Sequence, residues 1–339
     1  MSYPLIKIII LGVFLYGYVL TVSIDFGARF FSYFSKWRGQ DYTIGRIIDR
    51  YLPTIWELTI VFFILSIIGL VEFFPNAVFY YGEALLIPGA SVVGLLIIRA
   101  MFYIGVSRGL QQTSPYRFIH SMIGLAIPAV LSTVLTISEG GFIKETQSGQ
   151  VHFMFWDLIA SPYTWTVILL SVVSVLFISA AFLAFYASKS ADTKALEAFR
   201  GFALWWSGPT IFASLLVFST LQIHNPLHFQ MMLGLKFLFV LSFVCFIAAI
   251  YLIWKRKAWG TAFIMVMLQF GFAFFGYGAS HMPYLLFPYV TIQSGQANTG
   301  MGLWLMVASV GGGCLLIPLL VLLMRLFFFN SRCEENTKG

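Results

Sequence analysis

Charge is scarce in this sequence. Only 10% of its 339 residues are Asp, Glu, Lys or Arg, against about a quarter in an ordinary soluble domain. That deficit excludes a water-soluble globule. Long polar stretches are missing as well. The longest, 138–162, is too short to fold by itself, so residues 1–339 are expected to form one membrane domain. Cysteine is nearly absent: Cys245, Cys314 and Cys333 stand apart with no C-x-x-C pair, which excludes paired-cysteine redox and zinc motifs. The first two fall in apolar stretches and read as packing residues.

What the chain has instead is apolar length. It is 60% hydrophobic and 18% aromatic. About 20 apolar residues cross a hydrocarbon core of ~30 Å, and nine stretches of that kind occur: 6–34, 53–73, 78–105, 117–138, 163–187, 200–222, 230–254, 258–280 and 300–329. The period-two alternation of a membrane β-barrel is absent. The expected fold is therefore all-α, a polytopic membrane protein with nine transmembrane helices. The N-terminal "MSYPLIKIII" runs into an apolar stretch much longer than a signal-peptide core, with no small-residue cleavage pattern after it, and reads as a retained first span.

The formal charge of +7 does not point to nucleic acid, because the basic residues gather in alternate connections. One set holds Lys36, Arg38, Arg46 and Arg50, then Arg108 and Arg117, then Lys189, Lys194 and Arg200. It continues with "KRK" at 255–257 and ends with Arg325, Arg332 and Lys338. The other set has only Lys7 and Lys144. The positive-inside rule makes the rich side cytoplasmic, placing the N-terminus outside and the C-terminus inside.

A charge near the middle of a span costs about 2.5 to 3.5 kcal/mol on insertion scales, so each needs a partner, water or a role. Asp25, Glu57, Arg99 and Lys236 are such residues. Arg29, one turn after Asp25, reads as an anchor that snorkels to the surface. Positions within the spans put Asp25, Glu57 and Arg99 in the cytoplasmic half, on three consecutive antiparallel helices. Two readings stand side by side. In one, an acid and Arg99 form a structural ion pair. In the other, the acids form a proton or ion path from the cytoplasm, since a carboxyl in low dielectric can load and release a proton. Lys236 is open between snorkelling and a partner on another helix, and Glu72 and Glu83 read as solvated.

Histidine is sparse. His152, His224 and His228 fall in or beside outer connections, His281 at an outer helix end, and His120 near the inner start of the fourth span. No axial pair of the kind a membrane cytochrome needs can be read from these positions, so no haem or metal is expected to be bound by this chain alone. "HMPYLLFPYVTIQSG", 281–295, reads as an interfacial segment along the outer surface. The Gly-Gly-Gly at 311–313 permits close helix approach and has no phosphate-loop context.

Several segments together resemble one family, the second subunit of cytochrome bd-type quinol oxidases. "GYVLTVSIDFGARF" (17–30) is similar to its first-helix signature and "RYLPTIWEL" (50–58) to its second-helix motif of Trp followed by a carboxylate. "FFPNAVFYYGEALLIPGASVVGLLIIRAMFY" is similar to the next hairpin with its arginine-bearing helix, and "MPYLLFPYVTI" to the segment before the last helix. The chain departs from the common D-G-F-D-x-G at Val22 and from W-D-G-N-x-V-W in "WELTIVF", and in this it resembles a shorter branch found among Gram-positive bacteria.

The resemblance implies a non-haem subunit of a heterodimeric terminal oxidase in the bacterial cytoplasmic membrane. Such an oxidase takes electrons from quinol and reduces dioxygen to water. Haem b, with haem d or a second b-type haem, would lie in the larger subunit I, and a small third subunit is left open. Asp25 and Glu57 match the acids of a cytoplasmic proton-uptake path, Trp56 the aromatic beside it and Arg99 the third-helix arginine, with Ser23 and Thr59 as candidate extensions of a water chain. Lipid and quinone are the other expected partners. A reading from another class, an ion-coupled secondary transporter using Asp25 and Glu57, would want a repeat with helices broken at the midplane.

Overall fold

The computed structural model describes residues 3–37, 41–107, 114–145, 151–190 and 192–295, with positions 307 and 311. The expected ninth span, 300–329, otherwise lies outside these residues. Among the described residues, seven helices are long and apolar enough to cross a membrane, or eight with one bent pair counted as a span. The fold is all-α and polytopic, because a chain in lipid must satisfy its backbone hydrogen bonds within each segment.

The first half runs through α1 (Tyr3–Trp37), α2 (Asp41–Phe73), α3 (Pro75–Ala84), α4 (Leu86–Ser107) and α5 (Ser114–Ser138). A small hairpin of β1 (Ile143–Glu145) and β2 (Val151–Phe153) follows, then α6 (Phe155–Ala160). The second half runs through α7 (Pro162–Lys189), α8 (Thr193–His224), α9 (Pro226–Gly234), α10 (Lys236–Trp254) and α11 (Trp259–His281). It closes with a hairpin of β3 (Tyr284–Leu286) and β4 (Val290–Thr291), then α12 (Ile292–Gly295). Each half therefore has two long helices, a short one, two more helices and a hairpin.

Two expected single spans are each split in two. Stretch 78–105 becomes α3 and α4, which meet at 79°. Stretch 230–254 takes in α9 and α10, separated at Leu235. In both cases a proline opens the short helix, where its missing N–H costs no intrahelical bond, after Phe74 in α3 and Asn225 in α9.

The centre of the bundle is α7, whose Phe177, Ile178, Ala180, Leu183 and Ala184 are fully or almost fully buried between α1, α8 and α11. Helix α1 lies close against it. A Cβ on Gly27 would sit 2.3 Å from that of Ser179, while the Ser179 hydroxyl donates to the Ile24 carbonyl at 3.2 Å. Small residues at the crossing substitute here for the hydrophobic driving force that lipid removes.

The ends of the bundle differ. At one end α8 starts on Asp192, whose side chain accepts from the Ala195 N–H at 3.1 Å. Arg200 donates to the Ile253 and Trp254 carbonyls, both at 3.0 Å, satisfying the last turn of α10. Glu197 accepts from Arg200 and Arg256. Lys189, Lys194 and the 255–257 run lie here. At the other end the β3–β4 hairpin packs inward: Leu286 and Val290 are buried, and the Phe287 N–H donates to the Ser138 carbonyl at 2.9 Å. The segment expected at the interface, 281–295, thus forms a hairpin that packs against the end of α5.

Candidate functional site

Asp25 is held on α1 at the level where Gly27 brings that helix against α7. It is 1% exposed, and Arg99 of α4, 4% exposed, donates to its Oδ2 in a close ion pair. The Arg99 guanidinium also lies 4.0 Å from the centre of the Phe26 ring and 5.3 Å from that of Trp56, faces that attract a cation. Thus one arginine ties α4 to α1 and reaches toward α2. The other carboxylate oxygen, Asp25 Oδ1, is buried with no hydrogen-bond partner among the described residues.

The other residues expected at this site separate into those near the pair and those turned away. Trp56 is beside Arg99. Glu57, the next residue, stands on the exposed face of α2. The Ser23 hydroxyl donates to the Val19 carbonyl at 2.5 Å and that of Thr59 to Ile55 at 2.8 Å, so both hydrogens are used by their own helices. Arg29 is half-buried. Lys236 lines a cavity of about 190 Å³ with Gln222, Ser219 and Phe229.

A second polar cluster, centred on Glu139, was not anticipated. It lies beyond the last turn of α5 and is 2% exposed. The chain reverses there through Gly140 and Gly141, both left-handed at φ 85° and 86°. A Cβ on Gly140 would come 2.4 Å from the Phe287 carbonyl oxygen, so glycine is required for both conformation and space. Four side chains meet the carboxylate. Tyr277 donates to Oε1, Asn225 Nδ2 donates to Oε2 at 3.0 Å, His228 Nδ1 lies 2.9 and 3.0 Å from the two oxygens, and His281 Nδ1 lies 3.5 Å from Oε1. Burial pushes the Glu139 carboxyl up, but the bond from His228 and the neighbouring imidazoles outweigh it and hold the carboxyl below its ordinary range.

The surroundings of this cluster are equally specific. Asn225 caps α9 by accepting from the His228 N–H at 3.1 Å, so the residue that starts the short helix also grips the carboxylate. His228 Nε2 lies 2.8 Å from Ser280 Oγ, and the Ser280 hydroxyl donates to the Tyr277 carbonyl at 2.8 Å.

His228 and His281, which fall far apart in sequence, come within 5.0 Å, ring centre to ring centre, at this end of the bundle. The signal was in the span order. Glu139 ends the fourth expected span, His228 precedes the seventh and His281 ends the eighth, so all three fall at the same end of an antiparallel bundle.

These features define a class first: a polytopic helical membrane protein with two buried charged clusters separated along one bundle. The sequence pattern of the family "Cytochrome bd terminal oxidase subunit II" matches residues 3–327, and the chain belongs to that family. It is similar to a Bacillus subtilis (strain 168) protein, with 31% identity over 340 residues, covering 97% of this chain and 96% of that one. The assignment of that relative as a cytochrome bd menaquinol oxidase subunit II is provisional. Among solved structures it is similar to a chain of the bd oxidase from Geobacillus thermodenitrificans, with a TM-score of 0.85 and 45% identity, covering 97% of this chain and 100% of that one. The protein is accordingly a subunit II of a bacterial bd-type quinol oxidase complex, a multi-pass component of the cytoplasmic membrane.

Proposed function

We propose that this chain is the non-haem partner of the haem-bearing subunit I, and that it supplies a proton-uptake route from the cytoplasm for quinol-driven reduction of dioxygen to water. In this reading haem b, with haem d or a second b-type haem, belongs to subunit I, and quinol is the electron donor. The observation that carries the route is the buried Asp25–Arg99 pair with Asp25 Oδ1 left open. Arg99 occupies one oxygen, so the other is an acceptor position for a water or a proton in a site otherwise closed by Phe26 and Trp56.

Glu57 is the entry group in this proposal. An exposed carboxylate inside a membrane span costs several kcal/mol against bare lipid, which argues that subunit I or water covers this face in the complex. Sidedness follows the basic residues: Lys189, Lys194, Arg200 and the 255–257 run mark the cytoplasmic end, with the N-terminus outside and the C-terminus inside. The distance from Asp25 to the end of α1 at Trp37, twelve residues, is about 18 Å at the α-helical rise, so the pair sits on the cytoplasmic side of the long first helix.

The test is Glu57→Gln in the purified two-subunit oxidase. Haem content and assembly are expected to stay at wild-type level while oxygen consumption slows about a hundredfold, the low end of what one positioned proton-transfer group contributes. Wild-type turnover at every pH would remove Glu57 from the route.

A further inference from the structure

The Glu139 cluster leaves one positive charge to be placed between a buried carboxylate and two imidazoles. Ser280 spends its hydroxyl hydrogen on the Tyr277 carbonyl, so at 2.8 Å it accepts from His228 Nε2, and Nε2 carries the hydrogen. His228 Nδ1, 2.9 Å from Glu139 Oε1, then presents to a carboxylate either a second hydrogen or a bare lone pair. The lone pair is repelled there unless a positive ion lies between. His281 Nδ1 approaches the same Oε1 from another helix at 3.5 Å.

We propose that Glu139, His228 and His281 form a binding site for a divalent transition-metal ion, zinc by preference. Their ligand atoms all lie within 4.8 Å of one another. Metal–ligand bonds of about 2.0–2.2 Å put neighbouring corners of a tetrahedron roughly 3.3–3.6 Å apart; the His281 Nδ1–Oε1 separation, 3.5 Å, falls on that edge, and the His228 Nδ1–Oε1 separation, 2.9 Å, is shorter and would open slightly around an ion. Two imidazoles and one carboxylate suit zinc rather than calcium or magnesium, which favour all-oxygen sets.

The supporting contacts are those of a metal site. An imidazole that binds through one nitrogen commonly donates its other N–H to a fixed acceptor, as His228 does to Ser280, and a ligating carboxylate is itself hydrogen-bonded, as Glu139 is by Tyr277 and Asn225. The ion would join the end of α5, the start of α9 and the end of α11. It lies far from the Asp25–Arg99 pair: α5 packs beside Phe26 through Ile123 and Ile127, and twelve to sixteen residues of helix, about 18 to 24 Å, separate those positions from Glu139. The site is thus distinct from the proposed proton route.

The experiment uses the intact oxidase, purified without chelator and equilibrated with zinc sulfate, then desalted. Elemental analysis is expected to give about one zinc per complex, and zinc-edge X-ray absorption two imidazoles and one oxygen donor at about 2.0–2.1 Å. Less than about a fifth of an equivalent, or a shell without imidazole, would show that the cluster holds a proton instead and overturn the proposal. Glu139→Gln should lose the zinc. Because that variant risks assembly, His281→Gln, at the least buried ligand, is the second arm: zinc falling at least tenfold with an unchanged haem spectrum supports the site, and zinc retained overturns it.

Discussion

The two buried charged clusters of this protein are built on opposite plans. The Asp25–Arg99 site is sparse: one ion pair, two aromatic faces and the nearby charge of Arg29, with one carboxylate oxygen left over. The Glu139 cluster is crowded: Tyr277 and Asn225 donate to the carboxylate, and the imidazoles of His228 and His281 stand against it. A crowded carboxylate has fixed neighbours and cannot easily accept another proton or water, whereas a half-satisfied one can. The contrast fits the proton exchange proposed for the first cluster and a fastening role at the second.

The largest effect is expected from Glu139→Leu, which leaves His228, Asn225 and Tyr277 buried around an apolar group. Breaking a buried pair costs about 3–5 kcal/mol, and with several partners orphaned the upper end applies. Little assembled oxidase should survive extraction into detergent, as read by size-exclusion yield. A yield near wild type would break the contrast.

Arg99→Leu should cost less, about 3 kcal/mol, because one charge alone is stranded. Adding Asp25→Leu removes that charge, so the double variant is expected to regain most of the melting temperature lost by the single one. Oxygen consumption should not return with it. A double variant that recovers both stability and turnover would reduce Asp25 to a structural residue.

The smallest expected change is Gly27→Ala, which places a methyl group against Ser179 and tests whether close helix contact fixes the depth of Asp25. Overpacking of this kind costs about 1–3 kcal/mol. Ser179→Gly in the same chain should restore the melting temperature, and failure to do so would separate the glycine from the serine.

Much of this architecture can be read from residues alone, and the parts that cannot share a cause. Hydropathy locates spans because lipid forces each one into a continuous hydrogen-bonded helix, and α1, α5, α7 and α11 follow the apolar stretches to within a few residues. The breaks at Leu85 and Leu235 leave no mark in hydropathy, since both halves of each broken segment are apolar. Pro75 and Pro226 mark where the short helices begin, not where they end. Asp25 and Arg99 stood out because a charge in an apolar run is conspicuous. Glu139, His228 and His281 did not, because residues at span ends look ordinary until three helix ends are set side by side. Glu57 and Trp56 adjoin in sequence yet face different surroundings, a distinction set by the rotation of α2, which composition does not encode.

The turn at Gly140 also bears on how the chain is made. The carbonyl of Phe287 closes over it, and the residues that satisfy Glu139 follow it by 86 to 138 positions: Asn225, His228 and Tyr277. During synthesis this carboxylate emerges with none of those partners and must wait, in water or in the insertion machinery, until most of the second half has followed. The end of the bundle can lock only after α11 and its hairpin are in place, so the first half of the chain cannot close this end by itself.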